Sequence, residues 1–390
     1  MIAVIADDFT GAAEIGGVGI RHGLKVVIVT SIEEHEQTDL LVIATNTRSL
    51  PCEEAAAETE RISRLVMDLE PDFIFKKLDS VLRGNIACEI QSHLSVFAKK
   101  KAILIPGNPG LGRTIEEGIY YVDGIPLNRT FFAFSPDFPK NSASVVDIIR
   151  GTDIPVSSRA IGDDLPDSGI IVGDVSSQED LASWTTKIDD DTLAAGGAGF
   201  FDFILAGYLG KGKEMSRETF YLNGVSLFIL GSRYPKDEKI LRKINGKGLV
   251  RINMPEEIYR DKNFPGSMME SWAEGIIRSL NKGERVAITI DHDIHDEFGL
   301  TRRIRETVGL LVRLVSCKVN IDNLLIEGGA TTYEILRNLN IKKLYPVREL
   351  GFGIIQMKAD NYPDMFLITK PGSYNWPGNV EFKKGSKKGT

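Results

Sequence analysis

Short apolar runs alternate with longer stretches of helical periodicity through the first two hundred residues. The runs at about 2–6, 25–30, 40–45, 72–76, 101–105 and 169–173 predict strands, and the stretches at about 11–22, 52–69, 84–98 and 177–187 predict helices. Runs with no polar alternation, spaced by helices, imply a parallel sheet covered on both faces. Between the fifth and sixth strands the pattern changes. Asp123-Gly124 stands between β-formers in residues 119–127, a hairpin signal, and this insertion is expected to overhang the sheet rim.

Glycine and charge break the alternation between residues 207 and 224, after which it restarts. Strands are expected at 226–230, 249–253, 286–290 and 323–326, helices at about 235–245, 267–281, 300–316 and 331–339, and two or three closing strands within 350–370. The fold class is therefore α/β, as two α/β domains with mainly parallel sheets: residues 1–215, residues 222–382, and a disordered basic tail at 383–390.

Chemistry concentrates where strands end. Phe73-Ile74-Phe75-Lys76-Lys77-Leu78-Asp79-Ser80-Val81-Leu82-Arg83-Gly84-Asn85 delivers cations, a carboxylate and a hydroxyl at a strand-to-helix junction. Free backbone N–H groups at such a junction also favour anions. Asp7-Asp8-Phe9-Thr10-Gly11 follows the first strand in the same way, and open α/β sheets bind ligands outside the carboxyl ends of their strands. One of Asp7 and Asp8 is expected to cap the helix, leaving the other for a ligand. The equipment suits a small, oxygen-rich, negatively charged molecule.

In the second half, glycine-bearing turns follow strands at Gly231-Ser232, Glu327-Gly328-Gly329-Ala330-Thr331 and Lys370-Pro371-Gly372-Ser373-Tyr374. Glycine lets backbone N–H groups approach a phosphate, and a helix N-terminus adds about half a positive charge. The better-known nucleotide signatures fail. No Ser or Thr follows Lys211 in Gly207-Tyr208-Leu209-Gly210-Lys211-Gly212-Lys213, and Gly17-Val18-Gly19-Ile20-Arg21-His22-Gly23 lies inside a helix. Residues 291–297 carry two histidines among acids, a pattern that reads more readily as an exposed loop than as a metal site.

A formal net charge of −7 argues against a nucleic-acid partner or an anionic membrane surface. No apolar stretch approaches the length of a membrane span. Cys52, Cys88 and Cys317 lack metal or redox spacing, and the start shows no secretory signal, so reduced thiols in a cytoplasmic protein are expected.

Taken in order, the stretches 6–12, 76–85, 122–127 and 327–331 resemble the motifs of the four-carbon acid sugar kinases. The resemblance runs through both domains. It implies an N-terminal domain that holds a threonate, erythronate or 3-oxo-tetronate, a C-terminal domain that holds ATP with Mg2+, and a ligand cleft between them. Phosphorylation of the acid's terminal hydroxyl follows, with room for a homodimer. It places Asp8, Asp79 and Arg83 in catalysis, Asp7, Arg48, Lys77 and Ser80 on the acid, and Ser232, Gly328, Gly329, Ala330, Thr331 and Gly372 on the nucleotide. No metal ligand is assigned, and either Asp8 or Asp79 serves as base. The chain departs from the family pattern at Val81 (commonly Thr), at Ala330 (usually acidic), at 350–353 and at 373–376. These departures keep a second reading open, a catalytically impaired sugar-acid-binding or sensing protein of the same fold.

Overall fold

A computed structural model describes the chain except residues 34–36, 135–137, 140, 215–218, 232–248, 262–263, 291–298, 378–379 and 383–390. Ser232, the helix expected at 235–245, the histidine-bearing stretch at 291–297 and the basic tail lie outside the described residues. The chain divides into two compact units, Met1–Lys213 and Glu214–Thr390.

In the first unit the apolar runs become β1 (Ile2–Ala6), β2 (Val26–Val29), β3 (Leu40–Ala44), β4 (Phe73–Lys77), β5 (Lys101–Ile105) and β10 (Gly169–Gly173). They join β9 (Val156–Arg159) and β11 (Thr192–Gly196) in the order β2-β3-β1-β4-β11-β5-β10-β9, with every neighbouring pair parallel. The main helices are α1 (Phe9–Arg21), α2 (Cys52–Met67), α3 (Ile86–Val96), α5 (Gln178–Thr185) and α6 (Ala198–Leu209), with a short α4 at Val145–Ile149. Val4, Ile5, Val42, Ile43, Phe75, Ile103 and Leu104 form the centre of the core, and Phe75 packs on Phe201 of α6 at 5.0 Å between ring centroids.

The strands β9 and β11 and the helix α6 escape the periodicity reading. β11 is Thr-Leu-Ala-Ala-Gly, nearly free of β-branched residues, and α6 is too uniformly apolar to show a stripe. The insertion forms an antiparallel sheet of β6 (Arg113–Glu116), β7 (Ile119–Val122) and β8 (Ile125–Pro126). Its tight turn puts Asp123 and Gly124 at φ 50° and 76°, as the Asp-Gly pair predicts.

One expectation is overturned. Cys52, the first residue of α2, and Cys88, in the first turn of α3, form a disulfide with their Cα atoms 6.0 Å apart. Their sequence separation of 36 residues carries no pairing signal, and only the lateral packing of α2 on α3 brings them within bridging range. Cys317 alone is free and exposed.

The second unit contains β13 (Ser226–Leu230), β14 (Leu249–Asn253), β15 (Arg285–Thr289), β16 (Asn323–Glu327) and β19 (Tyr362–Lys370) as parallel neighbours in the order β14-β15-β13-β16-β19. The closing segment supplies β17 (Lys343–Gly351) and β18 (Ile354–Ala359), which add antiparallel strands beside β19. A separate parallel pair joins β12 (Phe220–Leu222) to β20 (Val380–Phe382). Its described helices are α7 (Glu256–Arg260), α8 (Gly266–Asn281), α9 (Leu300–Ser316) and α10 (Gly329–Asn338). Among the described residues no helix is long and apolar enough to cross a membrane.

Candidate functional site

Register brings the candidate loops of the first unit to one edge. Ala6 pairs with Lys77, Lys77 with Gly196, and Gly196 with Ile105, so the loops after β1, β4, β11 and β5 leave the sheet side by side. Asp8 is the helix cap: its Oδ1 accepts from the Gly11 backbone N–H at 2.8 Å and its Oδ2 from the Thr10 hydroxyl at 2.7 Å. Asp7 instead receives Arg48 as a fork, Nε to Oδ2 and Nη2 to Oδ1, both 2.8 Å. The same Nη2 donates to Asp8 Oδ1 at 2.9 Å, while Nη1 stands 3.8 Å from Asp79. Three buried carboxylates therefore converge on one guanidinium.

The loop after β4 adds a second fork. Arg83 donates to Asp79 from Nε at 2.7 Å, from Nη2 at 2.9 Å and from its backbone N–H at 3.1 Å. Closing that turn requires Leu82 at φ 59° and Gly84 at φ 99°. A Cβ on Gly84 would stand 3.1 Å from Arg48 Cγ, so glycine meets both the left-handed backbone and the close approach.

Adjacent lysines part company because successive strand residues face opposite sides. Lys77 reaches the rim, donating to the Leu78 carbonyl at 2.9 Å and lying 3.3 Å from Glu14 of α1. Lys76 instead forms a buried ion pair with Glu89 of α3. Burial opposes charge on Asp8, but Arg48, the Thr10 hydroxyl, Lys77 and the Gly11 N–H outweigh it and hold its pKa below the ordinary value. For Asp79 burial is likewise outweighed, by Arg83 and then Arg48, and its pKa lies well below that of a free carboxylate. Burial pushes the Arg48 pKa down, yet Asp7, Asp8 and Asp79 raise it well above its usual value.

Ser80 is engaged by residues that the motif reading leaves out. Arg113 of β6 donates to its hydroxyl, and the Tyr120 hydroxyl of β7 donates to its carbonyl. The insertion thus reaches the rim, as expected. Glu14 also goes unread, although a lone acid among the small and apolar residues of α1 is a signal in the sequence itself. Arg113 has only a weaker one, its place between a strand end and the hairpin.

The second unit offers backbone instead of charge. Gly328, at φ 93°, precedes α10 with no side-chain cap, and its N–H donates to the Lys370 carbonyl at 2.8 Å. Among the described residues, a Cβ on Gly328 would meet only Thr331 Oγ1, at 3.9 Å, and one on Gly231 only Ile290 and Thr331 at 3.9 and 4.0 Å. The N–H groups of Gly329, Ala330 and Thr331 lead the helix, the kind of helix start that favours a phosphate.

Beneath it lies a buried ion pair, Lys370 with Glu327 at 3.4 Å. Lys370 also donates to the Pro371 and Tyr374 carbonyls at 3.0 and 2.5 Å, and the Trp376 indole N–H donates to Glu327 Oε1 at 2.9 Å. These contacts brace the turn at Gly372 against the turn at Gly328. Burial lowers the Lys370 pKa and Glu327 only partly restores it. Glu327 Oε2 is buried without a hydrogen-bond partner among the described residues.

The family model described as the sugar-binding N-terminal domain matches residues 2–204. The chain belongs to this family. The D-threonate kinase of Salmonella typhimurium is 33% identical over 157 residues, 39% of this chain but only 37% of that protein. The 3-oxo-tetronate kinase of Haemophilus influenzae is 23% identical over 419 aligned positions, 99% of each chain. A crystal structure of a Haemophilus influenzae protein shares the fold, with a TM-score of 0.67 and 20% identity over 95% of this chain and 96% of that one. These relatives bear out the resemblance read from the motifs.

Proposed function

We propose that the chain is an ATP-dependent kinase that phosphorylates the terminal hydroxyl of a four-carbon acid sugar of the threonate, erythronate or 3-oxo-tetronate type. The acid belongs on the first unit and the nucleotide, with Mg2+, on the second. One observation carries this reading: Asp7, Asp8 and Asp79 gather around Arg48 at the rim. Ionised carboxylates only accept hydrogen bonds, so such a set suits a ligand rich in hydroxyl donors. The relatives named D-threonate kinase and 3-oxo-tetronate kinase support the same substrate class.

ATP supplies the phosphoryl group, and its Mg2+ offsets charge on the phosphate oxygens. Residues 329–331 and Gly372 hold the phosphates through backbone N–H groups, and Gly328, whose own N–H is bonded to Lys370, shapes the turn. Asp8 is the base. Its carboxylate is held by the Thr10 hydroxyl, the Gly11 N–H and a single Arg48 nitrogen, whereas both oxygens of Asp79 are gripped by the Arg83 fork. Asp8 would take the hydroxyl proton as the new oxygen–phosphorus bond forms and the bond from the γ-phosphorus to the β,γ-bridging oxygen breaks, ADP leaving, while Asp79 and Arg83 orient the hydroxyl and screen developing charge. ATP use places the activity in the cytoplasm.

A sensing protein is the second reading, favoured by Ala330 where the family usually carries an acid; Glu327, three residues earlier, keeps a carboxylate beside the same turn. Coupled ADP detection on the full chain with D-threonate, L-threonate, D-erythronate and 3-oxo-tetronate separates them. Turnover with one or more tetronates is expected. Calorimetric binding of an acid with no ADP formed from any of them would establish the sensor instead.

A further inference from the structure

At the first unit's rim Arg48 is matched by Asp7, Asp8 and Asp79, Arg83 by Asp79 and Lys77 by Glu14, while Arg113 is bonded to the Ser80 hydroxyl. Hydroxyls find acceptors there, but an acid sugar also brings its own carboxylate, and each of Arg48, Arg83 and Lys77 already faces an acid of the protein.

A different place on the same edge suits that carboxylate. β11 ends in Gly196-Gly197 and runs into the twelve-residue helix α6, whose N-cap Gly197 has no side chain to offer. Among the described residues no side chain accepts from the N–H groups of Ala198, Gly199 or Phe200, the first turn of that helix. Over this turn lies Asn108, from the loop after β5. It is 8% exposed, its side chain caps nothing, and among the described residues its amide has no hydrogen-bond partner. Its Nδ2 stands 3.1 Å from where a Cβ on Gly199 would sit.

The surroundings exclude side chains from this turn. A Cβ on Gly196 would lie 2.2 Å from the Ile105 carbonyl oxygen, and one on Gly197 3.2 Å from that of Pro106. The position of Asn108 is held by reciprocal backbone bonds with Arg113 at 2.8 and 3.1 Å, and Arg113 in turn grips Ser80. Thus Asn108 is tied to the acid-rich rim.

We propose that the N-terminus of α6 together with Asn108 is the subsite for the carboxylate of the acid substrate. The identity of that acid rests on the kinase reading; the anion site itself rests on the geometry of this turn. β11 is one strand from β4 and two from β1, about 5 and 10 Å away at ordinary strand spacing. A four-carbon acid hydrogen-bonded at both ends spans that gap, with its carboxylate on α6 and its terminal hydroxyl among Asp79 and Asp8.

The test uses the full chain and three probes: glycolate as the smallest hydroxy acid, D-threonate, and threitol as an uncharged counterpart. Glycolate and threonate are expected to shift the backbone amide resonances of Ala198 and Gly199. Asn108→Asp is expected to weaken threonate at least twentyfold by calorimetry while threitol changes less than twofold, and to raise KM for the acid with kcat within threefold. Asn108→Ala, which adds no charge, is expected to cost threonate three- to tenfold.

Absence of amide shifts with every carboxylate overturns the subsite. So does equal loss of threonate and threitol in Asn108→Asp, or unchanged threonate affinity in Asn108→Ala. Amide shifts in a protein that phosphorylates no tetronate would sustain the subsite and sink the kinase reading.

Discussion

The two units solve ligand recognition at their strand ends in opposite ways. In the first, side chains do it: carboxylates and guanidinium groups fill the rim and hold each other, Arg48 at the centre. In the second, Gly231 and Gly328 stand at the strand ends and, among the described residues, few side chains come near them, with the charged pair Lys370 and Glu327 below as a brace. The contrast follows the ligand chemistry each is proposed to meet. Hydroxyls vary in position along a sugar acid and need directional acceptors, whereas phosphate oxygens are satisfied by any convergent set of N–H donors.

The largest expected effect tests whether the first rim is held together by its own charges. Arg48→Met would leave Asp7, Asp8 and Asp79 buried without their common partner, a loss of about 3–5 kcal/mol. A thermal melt lowered by less than 2 °C would break the comparison, since the network would then be ornament. Next comes the division of labour within it. Asp8→Asn is expected to lower kcat by about 10²- to 10⁴-fold with little change in acid affinity, as loss of a base demands. Steady-state kinetics showing kcat within threefold of wild type would return the role to Asp79.

The brace of the second unit should matter less and more selectively. Lys370→Met is expected to weaken binding of a nonhydrolysable ATP analogue by about tenfold, roughly 1.4 kcal/mol, and to leave the acid's affinity alone. Calorimetry that finds both ligands weakened, or neither, would show that the brace serves folding only.

The smallest effect lies behind the first sheet, where His93 bonds Ser63 at 2.8 Å. Burial, and then Lys76, pull its pKa well below 6.5. As pH falls below the unfolded value of about 6.5, the unfolded chain takes up a proton that the folded one refuses, so stability declines by up to about 1.4 kcal/mol per pH unit. His93→Gln should flatten that decline in denaturant titrations at pH 6.5 and 5.5. An unaltered slope would assign it to other groups. The carboxylates act in a different window: the depressed pKa values of Asp8 and Asp79 lend stability present above about pH 4 and lost only as pH falls toward their folded values.

Much of this was legible in the chain. Apolar runs locate most strands of both units, and the acids and cations after β1 and β4 mark the rim. Where the reading failed, the missing quantity was spatial. β11 and α6 lack contrast between faces, so periodicity had nothing to register, yet α6 supplies the turn proposed here for the carboxylate. Cys52 and Cys88 carry no spacing signal and meet only because α2 lies along α3. Lys76 and Lys77 look alike in sequence, and only the pleat sends one into the core and the other to the rim.

By itself the sequence determined which segments fold locally and which residue types stand at strand ends, because both depend on neighbours a few positions away. The tertiary structure decided which charges cancel. Whether a guanidinium is free to grip a ligand or already spent on three carboxylates depends on distances between loops some forty residues apart along the chain, such as the 41 that separate Asp7 from Arg48. Electrostatic pairing falls off within a few ångströms in space and takes no account of distance along the chain.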